Sequence, residues 1–519
     1  KMFTFPVAHF GGGVDFTIDQ AIRFNDDHSA YLSRTPGSAG NRRTWTFSCW
    51  VKRGNLTGAN QPIFSAGGDD WLMFLSAETL GFNTDGSSNY RIVTSQLFRD
   101  PGAWFHLVLR VDTTASAGDR LRLYINGSEV TDFGTDTNPT LNYDTAFNNT
   151  GEHNIGKLVG ASQYFDGYLA EINHVDGSSL APSSFGETNS DTGQWVPKAY
   201  SGSYGTTGFH VNGADSSDLG EDQAGSNDWT SNNLAAADSV SDSPTDNHCT
   251  LNPLWVDNHT LSDGNLVASA AADSAAIGTM AFDVTDSDGF YFEAKVTTAA
   301  TYPNVGIRTV ESPSQVGAVT SLSGNSTGRY SFTGSNGNFN DAGSSSSYGS
   351  AWAGTADKVI GVLVKAGALY FSVDGTIQNS GTAAKTGLTG LMVPTVFYDA
   401  GSGTQAQWEM RFDASDWSTT PTAYKAISTA NLTDTTITTS GTFTGNASAD
   451  GPFVYLNGVP TAMTINGNSV TFATHADKLS NGFKVRTSSS SYNASGSNSY
   501  SISTTGAAFA DNANAQGNP

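Results

Sequence analysis

Between residues 121 and 130 the chain reads LRLYINGSEV, two alternating runs joined by Asn126-Gly127. Alternation at period two gives a strand one row of side chains on each face. Asn-Gly readily takes the two positive φ angles that a two-residue type I′ turn demands. The segment therefore predicts a tight antiparallel hairpin, and a chain that repeats such signals folds into antiparallel sheets. They do repeat. TWTFSCWVKR (44–53) sets Trp45, Phe47 and Cys49 on one face and Thr46, Ser48 and Trp50 on the other. WFHLVLRVD (104–112), HNIGKLV (153–159), YFDGYLAEINHVDG (164–177) and GFYFEAKV (289–296) continue the pattern. Asn457-Gly458 and Asn466-Gly467 mark two further hairpins.

Composition closes the alternatives. Gly 57 and Pro 16 punctuate the chain, and with 14% charged residues there is little Lys or Glu to build helix surfaces. The reading is an all-β chain with many turns. At 37% hydrophobic and 11% aromatic, 519 residues hold enough apolar mass for several cores. Lys+Arg 25 against Asp+Glu 48 leaves a net charge of −23, which repels phosphate backbones and argues against a nucleic-acid partner. No apolar run is long enough to span a membrane as a helix, so no membrane insertion is expected. Cys49 and Cys249 have no metal-type spacing, and Cys49, within the strand-like 46–51, reads as a small buried thiol. KMFTFPVAHFGGG at the start holds no apolar stretch fit for export, and release by cell lysis is the expected route outside.

Five segments are expected. Residues 1–20 form an N-terminal arm, with Phe3, Phe5 and Phe10 beside a Gly11-Gly12-Gly13 hinge. Residues 21–200 form one β-sandwich. Residues 201–262, polar and acidic with isolated Phe209, Trp229 and Trp255, read as a largely irregular connector, partly β because so long a structureless stretch is unusual. Residues 263–432 form a second sandwich, and 433–519 a small C-terminal β-domain.

Two of these segments carry family resemblances. Trp50-Val51-Lys52 closing an apolar strand, then WFHLVLRVD, LYING and FDGYLAEI in order, resemble the laminin-G-like, concanavalin A-like lectin sandwich. Gly289-Phe290-Tyr291-Phe292-Glu293, Val305-Gly306-Ile307, the strand from Asp357 to Val362, Leu369-Tyr370-Phe371, Asp374-Gly375 and Val393-Pro394 resemble the SPRY domain, another concanavalin A-like sandwich. Lys365 and Arg411-Phe412-Asp413 depart from the SPRY pattern, which removes any carried-over peptide-binding surface. The whole arrangement, with its Asn-Gly-rich tail, resembles bacteriophage virion proteins of the tail-fibre-like or lectin-like kind.

Candidate sites follow from chemistry. A sugar needs flat aromatic faces for its apolar side and amides or carboxylates for its hydroxyls. Trp71 and Tyr164 stand near such polar residues, and Tyr348 and Trp352 lie in the loop-like NDAGSSSSYGSAWAGT (340–355). These four are the candidate carbohydrate-binding residues. Asp69, Asp70 and Asp222 are candidate ligands for calcium, a hard cation that takes six to eight oxygens. Glu171 and Asp176 faintly resemble the paired carboxylates of concanavalin A-like glucanases. On a plain strand they point to opposite faces, and only a bulge would join them. No other catalytic constellation is present, so the chain is expected not to be an enzyme.

Together these readings imply a virion surface protein, assembled in a host cytoplasm and acting outside. It is expected to bind host cell-surface glycans, contact other virion proteins and form a homo-oligomer, with a trimer the usual fibre state. The alternative is a capsid-decorating or tail-adaptor protein, and the third reading a polysaccharide hydrolase.

Overall fold

The hairpin signals become antiparallel pairs in the computed structural model, which describes residues 16–56, 58–86, 89–189, 194–309, 328–398, 403–431, 440–456, 460–479 and 482–504. Asn126 and Gly127 have φ of 48° and 75°, and Asn466 and Gly467 have 50° and 78°, as the turn type requires. Gly127 answers a second demand, because a Cβ there would lie 2.4 Å from the Trp195 ring. Asn457-Gly458 lies outside the described residues, as does the arm as far as residue 15. The chain divides into two units at Asn247/His248.

The first unit is a sandwich of two eight-stranded antiparallel sheets. The first sheet runs Ser128–Glu129, Leu121–Ile125, Trp104–Asp112, Thr44–Arg53, Gly167–Asp176, Ala21–Phe24, Ser239–Val240, with Phe209–Val211 also on Gly167–Asp176. The second runs Phe133–Asp136, Arg91–Leu97, Thr79–Asn83, Asp70–Phe74, Gln61–Ala66, His153–Ile155, Tyr31–Arg34, Thr230–Asn232. Trp45, Phe47, Leu107 and Leu169 of the first sheet meet Phe64, Leu72, Phe82 and Ile155 of the second, all buried. Phe47 stacks on Phe64 at 4.8 Å between ring centroids. The faces of Thr44–Arg53 are those its alternation predicts: Trp45, Phe47 and Cys49 enter this core, while Ser48 and Trp50 face away from it.

The expected connector needs correction. Residues 209–211, 230–232 and 239–240 are strands of these two sheets, and Phe209 and Trp229 belong to the sandwich core. Residues 251–262 are the first strand of the second unit. Three-residue strands pair through their backbones, so a polar side-chain sequence hides them. The segment is also held by charge. Lys52, fully buried, donates to Asp242 Oδ2 and Asn247 Oδ1, each at 2.7 Å, and Trp104 Nε1 donates to Asp242 Oδ1 at 2.9 Å.

In the second unit, thirteen strands form one sheet that folds over on itself. Val267–Gly278 makes the fold possible. Its far half pairs with Leu391–Tyr398, its near half with Gln407–Arg411, and it joins Leu251–Ser262 in a long hairpin. Phe332, Val305 and Val396 from one half share a core with Phe292, Val362 and Phe371 from the other. Residues 440–504 add a four-stranded and a three-stranded sheet around Phe443, Ile465, Phe483 and Tyr500.

Lys52→Met leaves Asp242 as a buried carboxylate without its ammonium. Breaking such a pair costs about 3–5 kcal/mol, and chemical denaturation of the first unit should show a loss of that size. A loss below about 1 kcal/mol, the range of a surface pair, would mean that Asp242 reaches water and that the pair does not hold the segment.

Candidate functional site

The four candidate aromatics separate into two pairs. Tyr348 and Trp352 are core residues, at 6% and 3% exposure, which corrects their reading as a recognition loop. The Trp352 ring packs between Phe332 and Trp408, and Tyr348 Oη accepts from the Phe371 N–H at 3.3 Å. In that stretch Ser344–Ser347 is an exposed edge strand, and the aromatics that follow it turn inward to fill the sandwich. Trp71 and Tyr164, by contrast, are half-buried on the outer face of the first unit's second sheet.

That face is built by register. Arg91 pairs with Asn83, Asn83 with Trp71, Trp71 with Ser65, Ser65 with Asn154, Asn154 with Ser33 and Ser33 with Thr230. Cross-strand partners share a face, and the neighbouring row, Phe82, Leu72, Phe64, Ile155 and Leu32, lies in the core. A single polar and aromatic row therefore crosses the sheet on the side away from the core. Arg91 stacks over Trp71 at 5.2 Å. At the other end Tyr31, two residues from Ser33, meets Tyr164 at 6.2 Å, and Lys157 Nζ lies 4.2 Å from the Tyr31 ring centroid and 5.8 Å from that of Tyr164. Lys157 and Tyr164 are themselves bridged by backbone pairing. Ser65 Oγ donates to Lys157 O and accepts from Val159 N–H, which ties the 157–164 segment to the row.

Asn154 sits in the middle of the row, fully buried, and neither atom of its amide has a hydrogen-bond partner among the described residues. A buried unpaired polar group costs about 1–3 kcal/mol. Tyr31, Lys157, Asn154 and Arg91 were not singled out from the sequence; the cross-strand register that gathers them is a long-range property.

Asp69, Asp70 and Asp222 are not brought together. Asp69 is exposed. Asp70 is buried and accepts from Thr84 Oγ1 at 2.7 Å and from the Ala146 N–H at 2.5 Å. Asp222 accepts from the N–H groups of His210, Ala224 and Asn227, closing a turn. Among the described residues no three His, Cys, Asp or Glu side chains converge as a metal site.

The outer face of the first sheet carries a polar recess lined by Ser48, Trp50, His106, Glu171 and Asn173. A bulge does interrupt the strand, with Glu171 at φ 47°. It leaves Glu171 on the recess side, bonded to His210 Nε2 at 2.8 Å. Asp176 pairs with Trp45 on the core side and caps the N–H groups of Asn41, Thr206 and Thr207. The two carboxylates face opposite ways and do not flank a common bond. Ser48 Oγ lies 2.8 Å from His106 Nε2, a distance suited to nucleophile activation. Trp195 decides otherwise. Its Nε1–H donates to His106 Nδ1 at 3.0 Å, and burial pushes the imidazole down to about 3, so the ring is neutral with its proton on Nε2. That proton points at Ser48 Oγ, and His106 has no lone pair left to take one from it.

Residues 25–181, under a third of the chain, match the family model described as the concanavalin A-like lectin/glucanases superfamily. Among solved structures, the SPRY domain of human HERC1 is similar at 9% identity, covering 31% of this chain and 96% of its own, with a TM-score of 0.26. A native heptameric SAP-like pentraxin from Limulus polyphemus is similar at 19% identity, covering 32% and 78%, with a TM-score of 0.25. A further human SPRY domain is similar at 13% identity, covering 31% and 98%, with a TM-score of 0.22. No curated protein sequence matches the chain.

Burial raises the Asp70 carboxyl from 3.8 to about 6, and the Ala146 and Thr84 hydrogen bonds only partly offset it. The fold thus disfavours the ionised form, so the penalty is present above pH 6 and disappears as pH falls toward 4. Asp70→Asn keeps an oxygen for both donors. It should raise the melting temperature at pH 7.5, by up to about 3 kcal/mol of stability, with the gain vanishing near pH 4. A gain independent of pH would contradict a raised Asp70.

Proposed function

We propose that the first unit is a glycan-binding module and that it binds through the outer face of its second sheet. The observation that carries this reading is the cross-strand row with a half-buried aromatic group at each end, Trp71 on one side and Tyr31 with Tyr164 on the other. Half-buried flat rings suit the apolar faces of a sugar chain, while Asn83, Ser65 and Asn154 of the same row are buried. The lectin/glucanase family match over 25–181 supports the same class of ligand. The tautomer of His106 and the opposed carboxylates favour binding without hydrolysis.

At a finer level we propose that the chain acts as an adhesin on the surface of a bacteriophage particle, holding host-surface glycans weakly at each copy and gaining avidity by oligomerisation. The order of the segments supports it: a laminin-G-like sandwich, a SPRY-like sandwich and an Asn-Gly-rich tail in one acidic chain. Labelled protein should bind intact host cells and lose that binding when surface sugars are oxidised with periodate. Binding that survives oxidation would move the reading to a capsid-decorating or adaptor role.

A base stacked on an aromatic side chain is worth about 1–3 kcal/mol, and with the lower end of that range as the scale for a sugar face, Trp71→Ala and Tyr164→Ala should each weaken glycan binding about tenfold while leaving the melting temperature within a few degrees. Tyr348→Phe and Trp352→Phe, both in the core, should leave binding intact. Asn154→Val should keep or raise the melting temperature, because Val suits a strand and removes an unpaired amide, and should weaken binding. A marked loss of stability in Asn154→Val would show the amide to be structurally paired.

A further inference from the structure

We propose that this face selects anionic glycans, sugars bearing carboxylate or sulfate groups, with Lys157 and Arg91 reading the charge. The inference rests on the glycan reading of the face and specifies the class of sugar.

The Arg and Lys side chains of the first unit divide among ion pairs, hydrogen bonds to neutral oxygens and contacts with aromatic rings. Arg23, Arg43, Lys52, Arg53, Arg122 and Lys198 each pair with an Asp or Glu. Arg34, Arg42, Arg110 and Arg120 donate instead to carbonyl or neutral side-chain oxygens. Arg91 and Lys157 form no ion pair with any described residue, and each lies over a half-buried ring of the same sheet face. Arg91 Nε is buried and has no hydrogen-bond acceptor. At the centre of the row, the fully buried Asn154 amide also lacks a partner. Arg91 and Lys157, both half-buried, are the cations of this face that an acceptor from outside the chain can reach.

A cation over a half-buried ring is held less strongly than one that makes a charge-assisted hydrogen bond to an anionic oxygen. A carboxylate or sulfate thus recruits either cation at little loss, while the sugar ring keeps contact with the aromatic group beside it. A neutral sugar would leave the Arg91 guanidinium without a counter-charge. Trp71 and Ser33 are three strands apart in the row, roughly 14 Å at about 4.8 Å per strand, so the two cations meet separate groups along an oligosaccharide. Screening at physiological salt limits the repulsion from the remaining acidic surface to about 8 Å.

The test uses the full chain at physiological salt and three probes of equal length: oligogalacturonate, the same oligomer after carboxyl reduction, and a sulfated galactose oligomer. The expected result is at least tenfold tighter binding of one or both charged probes than of the reduced one. In Lys157→Gln/Arg91→Gln the ratio of charged to neutral binding should fall toward one, with folding checked by melting temperature. Arg43→Gln removes a charge from a paired, exposed site and should keep the ratio. Equal or tighter binding of the neutral oligomer, or a ratio unchanged in the double variant, overturns this inference and leaves the glycan reading standing. Binding of none of the three overturns both.

Discussion

The strand Gly167–Asp176 is buried along its whole length, and a buried backbone must find a hydrogen-bond partner for every N–H and C=O. On one side Thr44–Arg53 pairs with residues 167–170 and 173–176, on either side of a bulge. On the other side no single strand does. Ala21–Phe24 pairs with the first residues, and Phe209–Val211 takes over at Ile172. The handover occurs at the bulge, where Glu171 adopts its positive φ. That one requirement draws the polar 201–247 segment into the sandwich and brings His210 to the Glu171 carboxylate. It also places Trp229 in the core, while Thr230–Asn232 covers the edge beside Tyr31–Arg34.

The same accounting explains why the two outer faces of the sandwich differ. The first sheet's outer face is roofed by apolar and aromatic groups, with Trp50, Trp104 and Tyr168 under Phe16 and Trp195, and its polar residues hold one another. Trp195 sets the His106 tautomer, and Asn173 accepts from Tyr204 Oη at 2.6 Å. The second sheet's outer face carries unspent donors and half-buried rings instead. A satisfied polar network stabilises its fold, whereas an unsatisfied one is a cost that only a ligand or another role offsets. The two outer faces thus differ in how far their polar groups are paired within the chain.

Much of the architecture was legible in the residues. The alternation of 44–53, the Asn-Gly turns at 126–127 and 466–467 and the aromatic strands of 289–296 each became the element they predict. Local pattern failed where the structure is made by distant neighbours. Phe209 and Trp229 looked like stray aromatics in an acidic linker, because strands of three residues leave no period to read. Tyr348 and Trp352 looked exposed because Ser and Gly surround them, yet those small residues are what lets the chain turn its aromatics inward. Trp71 and Tyr164 were recognisable as ring-bearing positions beside polar residues, while Tyr31, Asn154, Lys157 and Arg91 gave no such signal.

By itself the sequence determined the class of the fold, the turn positions, the sign of the overall charge and the absence of the local motifs of common catalysis. Each of those depends on neighbours within a few residues or on simple totals. Only the tertiary structure decided which aromatic groups are core and which form a surface. It alone showed that the bulge at Glu171 leaves that carboxylate and Asp176 facing apart, and that an arginine and a lysine 66 positions apart stand on one sheet face. Those outcomes depend on the register of strands joined across long loops. Register is set by the packing of a whole sheet at once, and no stretch of sequence contains it.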